Sequence, residues 1–233
     1  MYSSYYYGDW TYLLVIVAAI FSLLAQWKVK STYKKYSKVR SMTNMTGREA
    51  AERILAYKGI RNVEIRHVSG TLTDHFNPNN NTVNLSDAVY DSTSVAAISV
   101  AAHECGHVMQ HNEEYTPIRI RSKLVPVAQF GSYAAWPIIL LGLFFHGGMS
   151  SLIIEIGILL FSASVLFQII TLPVEFDASR RADETLQELG ILSQDEGRMT
   201  KKVLGAAALT YVAAAAAAII QLLRLLLILN RRK

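Results

Sequence analysis

Three long stretches with almost no charge constrain this chain more than any other feature of its sequence. Residues 10–27 carry no charged side chain, residues 124–174 carry only Glu155, and residues 203–229 carry only Arg224. About 20 apolar residues in a helix are enough to cross the hydrocarbon core of a bilayer. Apolar residues make up 52% of the chain and are concentrated in these stretches. We therefore expect an integral membrane protein.

The stretches predict three to four transmembrane helices. Residues 10–27 are predicted to form a retained anchor. A signal peptide begins with basic residues, and no Lys or Arg precedes residue 10. The second stretch is long enough for a hairpin of two spans, at roughly 127–145 and 151–172, with Pro126 and Pro137 at the entry of the first and a turn at 146–151. The third stretch is long enough to span, but its small-residue first half would also suit a helix packed in a soluble core.

Basic residues cluster beside these stretches, and Lys and Arg favour the cytoplasmic side of a membrane. They place the N-terminus outside and residues 28–123 and 174–202 in the cytoplasm, although the tail at 231–233 disagrees if the third stretch fully spans. Attraction to anionic lipid explains the net charge of +5 without a nucleic-acid partner. The basic residues are Lys28, Lys30, Lys34, Lys35, Lys38, Arg40, Arg119, Arg121, Lys123, Arg180 and Arg181.

The polar segments predict one small α+β domain interrupted by the hairpin. A capping box at Thr46 and Glu49 opens a helix, and strands are expected at 63–68, 71–76 and 82–85. Residues 91–94 offer N-caps for the next helix. The expected organisation is an anchor segment at 1–27, a first half-domain at 28–123, the hairpin at 124–173, a second half-domain at 174–202 and a hydrophobic helix at 203–233.

The sequence VAAHECGHVMQH, residues 100–111, contains the pattern H-E-x-x-H. Residues four apart on a helix project from one face, so His103 and His107 can share one Zn²⁺. Glu104 lies about 100° round the helix and is suited to act as a base on metal-bound water. His111 is about 12 Å from His103 along the helix axis and is not expected to be a ligand. Cys105, the only cysteine, points to the opposite face and is expected to be buried packing without a disulfide.

A catalytic zinc takes a third protein ligand. The candidate is Glu175, which follows the predicted hairpin, while Asp177 and Asp183 remain alternatives. Candidates for stabilising a developing oxyanion are Arg180, Arg181, His67 and His75, and the sequence does not choose among them. The strand at 82–85 is considered either as a sheet edge that pairs with an extended substrate or as an ordinary core strand.

The segments VAAHECGHVMQH, EFDASRRA and AAALTYVAAA resemble the bacterial membrane zinc metallopeptidases called YugP-like, or neutral zinc metallopeptidases. The layout is more distantly similar to HtpX and the CAAX prenyl proteases, which are gluzincins. The resemblance covers the chain from about residue 48 onward. It implies a zincin-like fold, one zinc held by His103, His107 and Glu175, and Glu104 as the catalytic residue. The HtpX-type pattern has an aspartate four residues after the ligand glutamate, where this chain has Ser179, so Asp177 or Asp183 is considered as the partner of a ligand histidine.

These observations predict a multi-pass zinc endopeptidase of the cell membrane that acts on polypeptides, some membrane-associated, at the cytoplasmic face. The bilayer is the other expected partner, and the sequence leaves the oligomeric state open. One alternative is a zinc-binding membrane scaffold or pseudoprotease, which would not need Glu104. A transporter, based on Glu155 and Arg224, is a second alternative, with few spans and few internal charges to support it.

Overall fold

The computed structural model describes residues 11–145 and 148–230, and within them six helices and three strands follow one another. The predicted N-terminal flank (1–10), part of the predicted turn (146–147) and the basic tail (231–233) lie outside the described residues. In chain order the elements are α1 (Thr11–Tyr36), α2 (Gly47–Tyr57), β1 (Glu64–Val68), β2 (His75–Asn77), β3 (Thr82–Ser86), α3 (Val95–Asn112), α4 (Thr116–Phe144), α5 (Gly148–Glu188) and α6 (Gln194–Asn230).

Four helices, α1, α4, α5 and α6, are long and apolar enough to cross a membrane. At most 22% of the residues in each apolar stretch are buried within the protein, and large side chains such as Leu13, Val17 and Leu23 are exposed. Such an extensive apolar surface is unfavourable in water and favourable in lipid. The predicted class, a mainly helical α+β membrane protein with a small sheet and three to four candidate spans, is confirmed.

Prolines do not delimit the helices as the sequence predicted. Pro126 and Pro137 both lie inside α4, and Pro173 lies inside α5, which continues to Glu188. A proline inside a helix removes a backbone hydrogen bond and costs about 3 kcal/mol. In α5, Val174, which follows the proline, and Ala178, one turn further, are fully buried. Their packing offsets the cost, so the predicted span and the predicted polar helix are one continuous helix.

The described residues form two compact units, of which the first comprises the described parts of 1–25, 120–171 and 211–233. Its apolar cluster is built from Ile139, Ile154, Ile158, Leu225 and Leu229. Arg224 donates from Nε to Oγ1 of Thr11 at 3.3 Å, and its guanidinium lies 4.1 Å from the centroid of the Tyr12 ring. These contacts join α6 to α1.

The second unit, Gln26–Arg119 and Leu172–Thr210, contains the sheet. Its strand order is β1-β3-β2, with β1 parallel and β2 antiparallel to β3. All five residues of β3 are buried, so the hypothesis that residues 82–85 form a substrate-binding edge is wrong. The strand predicted at 71–76 is also shorter and later, at His75–Asn77. Because the strand order is β1-β3-β2, β2 is an edge strand of this sheet.

Helices α2 and α3 begin where the sequence predicts. The side chain of Thr46 accepts from the backbone N–H of Glu49, whose carboxylate accepts from the backbone N–H of Thr46. Ser94 caps α3 by accepting from the N–H of Ala97 at 3.2 Å. The two helices share an apolar core with β3 in which Ile54, Leu85 and Ile98 are fully buried. That core fixes the orientation of α3.

Helix α3 lies close to α5 at Gly106. A methyl group added at Gly106 would collide with the backbone carbonyl of Ala178. The absence of a side chain at this position therefore permits backbone-to-backbone packing of the two helices. Gly106 lies inside the H-E-x-x-H pattern, so the same pattern that carries the polar residues also sets the distance to α5.

We expect Gly106→Ala to destabilise the protein by about 1–3 kcal/mol, because the added methyl group must push α3 and α5 apart. Thermal unfolding of the purified protein in detergent measures this. The matched control is Gly197→Ala, since a methyl group at Gly197 has no neighbour within 4 Å. An unchanged or higher melting temperature for Gly106→Ala would show that the helices are not in contact there.

Candidate metal centre

Helix α3 places two imidazoles side by side. His103 and His107 are one turn apart, and their ring centroids lie 4.8 Å from each other in an edge-to-face arrangement. Their side chains are 13% and 11% exposed, respectively. A small accessible fraction suits a site that must admit a ligand while excluding most of the bulk water.

Glu175 of α5 completes the cluster. Its Oε2 lies 3.3 Å from Nε2 of His103 and 3.5 Å from Nε2 of His107, and its side chain is 2% exposed. The ligand atoms of these three residues all lie within 4.8 Å of one another, which makes the group able to hold a metal ion. The structure thus brings together the three residues that the sequence analysis named as zinc ligands.

The geometry of this cluster fits zinc. Four ligands about 2.0–2.1 Å from a tetrahedral zinc lie roughly 3.3 Å from one another. The two separations from the Glu175 oxygen to the imidazole nitrogens have this size. Two imidazole nitrogens and a carboxylate oxygen are also the donor set of a class of catalytic zinc sites, which keep a fourth position open.

The electrostatics of the cluster favour a bound cation. Burial lowers the pKa of His107, but its hydrogen bond to Glu175 and the charges of Glu104 and Glu175 outweigh burial and raise that pKa. Burial raises the pKa of Glu175, but the hydrogen bonds with both imidazoles outweigh it and hold that pKa well below its usual range. Both directions have the same cause, the attraction between the Glu175 carboxylate and positive charge on the imidazoles. A divalent cation at this position would be attracted to the carboxylate in the same way.

Gln110 sets the orientation of His107. The side-chain nitrogen of Gln110 donates to the carbonyl of Val174 at 2.7 Å and to Oδ2 of Asp177 at 2.9 Å. Its Oε1 therefore faces Nδ1 of His107, 3.0 Å away. A carbonyl oxygen only accepts, so Nδ1 carries a proton. Nε2 is then the nitrogen that can give its lone pair to a metal ion when it is not protonated. This is the tautomer that a metal ligand needs.

Ser179 is the corresponding partner of His103. Its Oγ lies 3.2 Å from Nδ1 of His103, at the position where the HtpX-type pattern has an aspartate. A hydroxyl can accept a hydrogen bond there, as a carboxylate does, but without the negative charge. The expectation that Asp177 or Asp183 replaces that aspartate is corrected, because Ser179 itself contacts His103 and Asp177 reaches His107 through Gln110.

Glu104 lies outside the group of three candidate ligand atoms. It is 7% exposed, and its Oε2 accepts from the backbone N–H of Phe76 at 2.9 Å. Phe76 belongs to the edge strand β2. The hydrogen bond therefore ties the Glu104 carboxylate, next to His103 on α3, to the edge strand β2.

The alternative third ligands, Asp177 and Asp183, contact residues other than the two histidines. Asp177 accepts from Arg180 at 2.5 Å and from Arg181 at 2.6 Å, in addition to Gln110. Asp183 accepts from Gln187 at 2.8 Å and lies 3.5 Å from Nζ of Lys201. Of the three carboxylates considered from the sequence, only Glu175 contacts the histidines of the cluster, in the part of the chain that the structure describes.

The four candidates for oxyanion stabilisation also have partners. Arg180 and Arg181 pair with further carboxylates at 2.7 Å, those of Glu184 and Glu113. Nε2 of His67 lies 2.7 Å from Oδ1 of Asp87 on the exposed side of β1. His75, on β2, contacts the carbonyl of Thr73 through Nδ1 and the amide of Asn84 through Nε2.

The remaining polar residues of α3 lie outside the cluster. His111 is exposed, and its ring centroid lies 5.7 Å from that of Phe76. Cys105 is fully buried, with Sγ 3.8 Å from the carbonyl of Ala51. Burial raises the pKa of its thiol well above the usual range. Cys105 therefore contributes to packing, as the sequence predicts.

Sequence analysis missed Gln110 and the backbone of Phe76. The signal for Gln110 was its position three residues after His107, which places both side chains on one face of a helix. Nothing local pointed to Phe76, because its contact with Glu104 joins residues 28 positions apart.

Comparisons with known proteins identify the family of the chain. The family model described as "Putative neutral zinc metallopeptidase" matches residues 11–230. A relative from Bacillus subtilis (strain 168), described as "Putative membrane protease YugP", is 48% identical over 200 residues, which cover 86% of this chain and 88% of the relative. No solved structure matches.

We expect Gln110→Met to weaken zinc binding about 10- to 100-fold, the usual cost of losing a partner that orients a ligand. Methionine keeps the length of the side chain but removes all three hydrogen bonds. Competition with a chromophoric chelator measures the affinity. Gln187→Met is the matched control, since Gln187 is exposed on α5 and donates to Asp183. Wild-type zinc affinity for a folded Gln110→Met would show that Gln110 does not orient His107.

Proposed function

Because the chain belongs to the neutral zinc metallopeptidase family, we propose that it is a membrane-bound zinc endopeptidase of the gluzincin type. His103, His107 and Glu175 would hold one zinc per chain, and Glu104 would be the catalytic residue. The observation that carries the proposal is the convergence of three ligand atoms within 4.8 Å, with the Glu104 carboxylate held beside them.

The residues of the chain account for the hydrolytic steps. When bound, zinc supplies a Lewis acid that polarises a carbonyl and makes a water molecule acidic near neutral pH. Glu104 is held through Oε2, so we assign Oε1 to the proton of the attacking water. Glu104 then returns that proton to the leaving amide nitrogen as the peptide bond breaks. Gln110 holds Nδ1 of His107 in its protonated form, and Ser179 contacts Nδ1 of His103.

A polypeptide substrate is supported by the position of β2. In the described residues this strand pairs with β3 on one side only. An extended chain could align beside that strand, a recognition mode that relies on the backbone and needs little side-chain specificity, with the N–H of Phe76 remaining bound to Glu104. Such a chain would pass Phe76, whose N–H holds Glu104, and would bring its peptide bonds toward the candidate zinc site.

The site is proposed to face the cytoplasm. The support is the concentration of Lys and Arg in residues 28–123 and 174–202, next to the candidate spans. Helix α5 continues from a candidate span to Glu175 without interruption. Polypeptides at the inner membrane surface, including membrane-tethered ones, are therefore the proposed substrates.

Replacing Glu104 by Gln tests whether the protein is an enzyme or a zinc-binding scaffold. We expect Glu104→Gln to keep the zinc content of the wild type and to lower the rate of casein cleavage or self-cleavage at least about 100-fold, because the amide cannot accept the proton. Metal analysis and a peptide-release assay on the full-length protein in detergent measure both quantities. Equal, chelator-insensitive activity of the two proteins would contradict the proposal.

The controls for this experiment lie on α5. Glu175→Ala removes a proposed ligand and should lose zinc together with activity. Glu184→Ala removes an exposed carboxylate of the same helix and should keep both. If Glu104→Gln kept zinc and the wild type had no activity toward any peptide, the scaffold alternative would stand.

Thiol labelling tests the orientation. We expect a cysteine introduced at Asn79, an exposed turn residue of the second unit, to react with a membrane-impermeant maleimide only after cells are permeabilised. Met149→Cys, at the start of α5, should react in intact cells, and the native Cys105 should stay silent because it is buried. Labelling of Asn79→Cys in intact cells would place the site outside.

A further inference from the structure

A cavity of about 510 Å³ lies in the second unit, and none of the residues that line it is a candidate zinc ligand. We call it the lysine pocket. It lies between the C-terminal half of α1 and the N-terminal half of α6. Its lining includes Lys28 and Lys35 from α1, Lys201 and Lys202 from α6, and the side chains of Tyr36 and Leu209. Its volume is within the range of small-molecule binding sites.

The charge of the pocket is strongly positive. Four lysines line it. Within residues 11–145 and 148–230, Lys201 is the one of them with a carboxylate in ion-pair range, that of Asp183 at 3.5 Å. Nζ of Lys35 also lies 5.4 Å from the centroid of the Tyr36 ring. Like charges gathered around one cavity repel each other, and a bound anion relieves that repulsion.

The pocket lies where two helices pass from charged into apolar sequence. In α1 the residue before Lys28 is the exposed Trp27, a side chain that favours the membrane–water interface. In α6 the apolar stretch begins at Val203, so Ala206 and Leu209 give the pocket an apolar side while the lysines give it a charged one. A ligand that matches both needs an anionic head and an apolar tail.

We propose that the lysine pocket binds the phosphate-bearing headgroup of an anionic phospholipid. The lysines contact the phosphate, as basic pockets beside transmembrane helices do, and Leu209 contacts the start of an acyl chain. The site is independent of the proposed hydrolysis, because none of its residues is among the candidate zinc ligands or their partners.

Gly205 offers a way to fill the pocket without disturbing the fold. It lines the cavity, and a methyl group added to it has no neighbour within 4 Å. Gly205→Ala should therefore be tolerated and should leave the pocket open. Gly205→Phe should place a ring in the cavity and exclude a headgroup while all four lysines remain.

The experiment measures binding of dioctanoylphosphatidylglycerol to the full-length protein in a neutral detergent by native mass spectrometry. Dioctanoylphosphatidylcholine and inorganic phosphate are the comparison ligands. We expect the anionic lipid to bind at least about 10-fold more tightly than either. Lys28→Gln/Lys35→Gln and Gly205→Phe should each weaken its binding about 10-fold or more.

The control pair is Lys30→Gln/Lys34→Gln, which removes the same charge from exposed positions of the same helix that do not line the pocket. This pair and Gly205→Ala should bind the lipid as the wild type does. Equal weakening by the two lysine pairs would show general surface attraction and overturn the proposal. Equal binding of phosphatidylcholine, or of inorganic phosphate alone, would overturn it as well.

Discussion

The buried Glu175 carboxylate between the imidazoles of His103 and His107 is the interaction on which the candidate site depends. A carboxylate with 2% exposure is costly unless it is paired, and here its neighbours are the two rings that the H-E-x-x-H pattern brings together on α3. The cluster joins α3 to α5. It stabilises positive charge at one point of the unit, which is the requirement for a site that holds a cation.

The cluster depends on two features of the backbone, the close packing of α3 on α5 and the continuity of α5. Gly106 allows α3 to approach the carbonyl of Ala178, and the fully buried Val174 and Ala178 keep α5 helical past Pro173. Because the helix continues, Glu175, Ala178 and Ser179 occupy fixed positions relative to α3. A helix that ended at the proline would leave the third carboxylate on a flexible connection.

The two candidate histidine ligands are supported unequally. His107 is held by Gln110, which is itself anchored by a backbone carbonyl and by Asp177, and Asp177 is paired with Arg180 and Arg181. His103 has only the neutral hydroxyl of Ser179 at its Nδ1 among the contacts described here. In metal sites such partners set ring orientation and basicity. The two rings therefore differ: His107 is connected through Gln110 to the carboxylate of Asp177, whereas His103 contacts a neutral hydroxyl.

What the sequence determined by itself was local. The apolar stretches, the capping box at Thr46, the cap at Ser94 and the shared face of His103 and His107 follow from helix periodicity and from contacts within about one turn. Only the tertiary structure decided between Glu175, Asp177 and Asp183, assigned Gln110 and Ser179 to the histidines, made β3 a central strand and carried α5 through Pro173. Each of these depends on contacts between residues far apart in the chain, and a local pattern of residue types does not specify which distant surfaces will pack together.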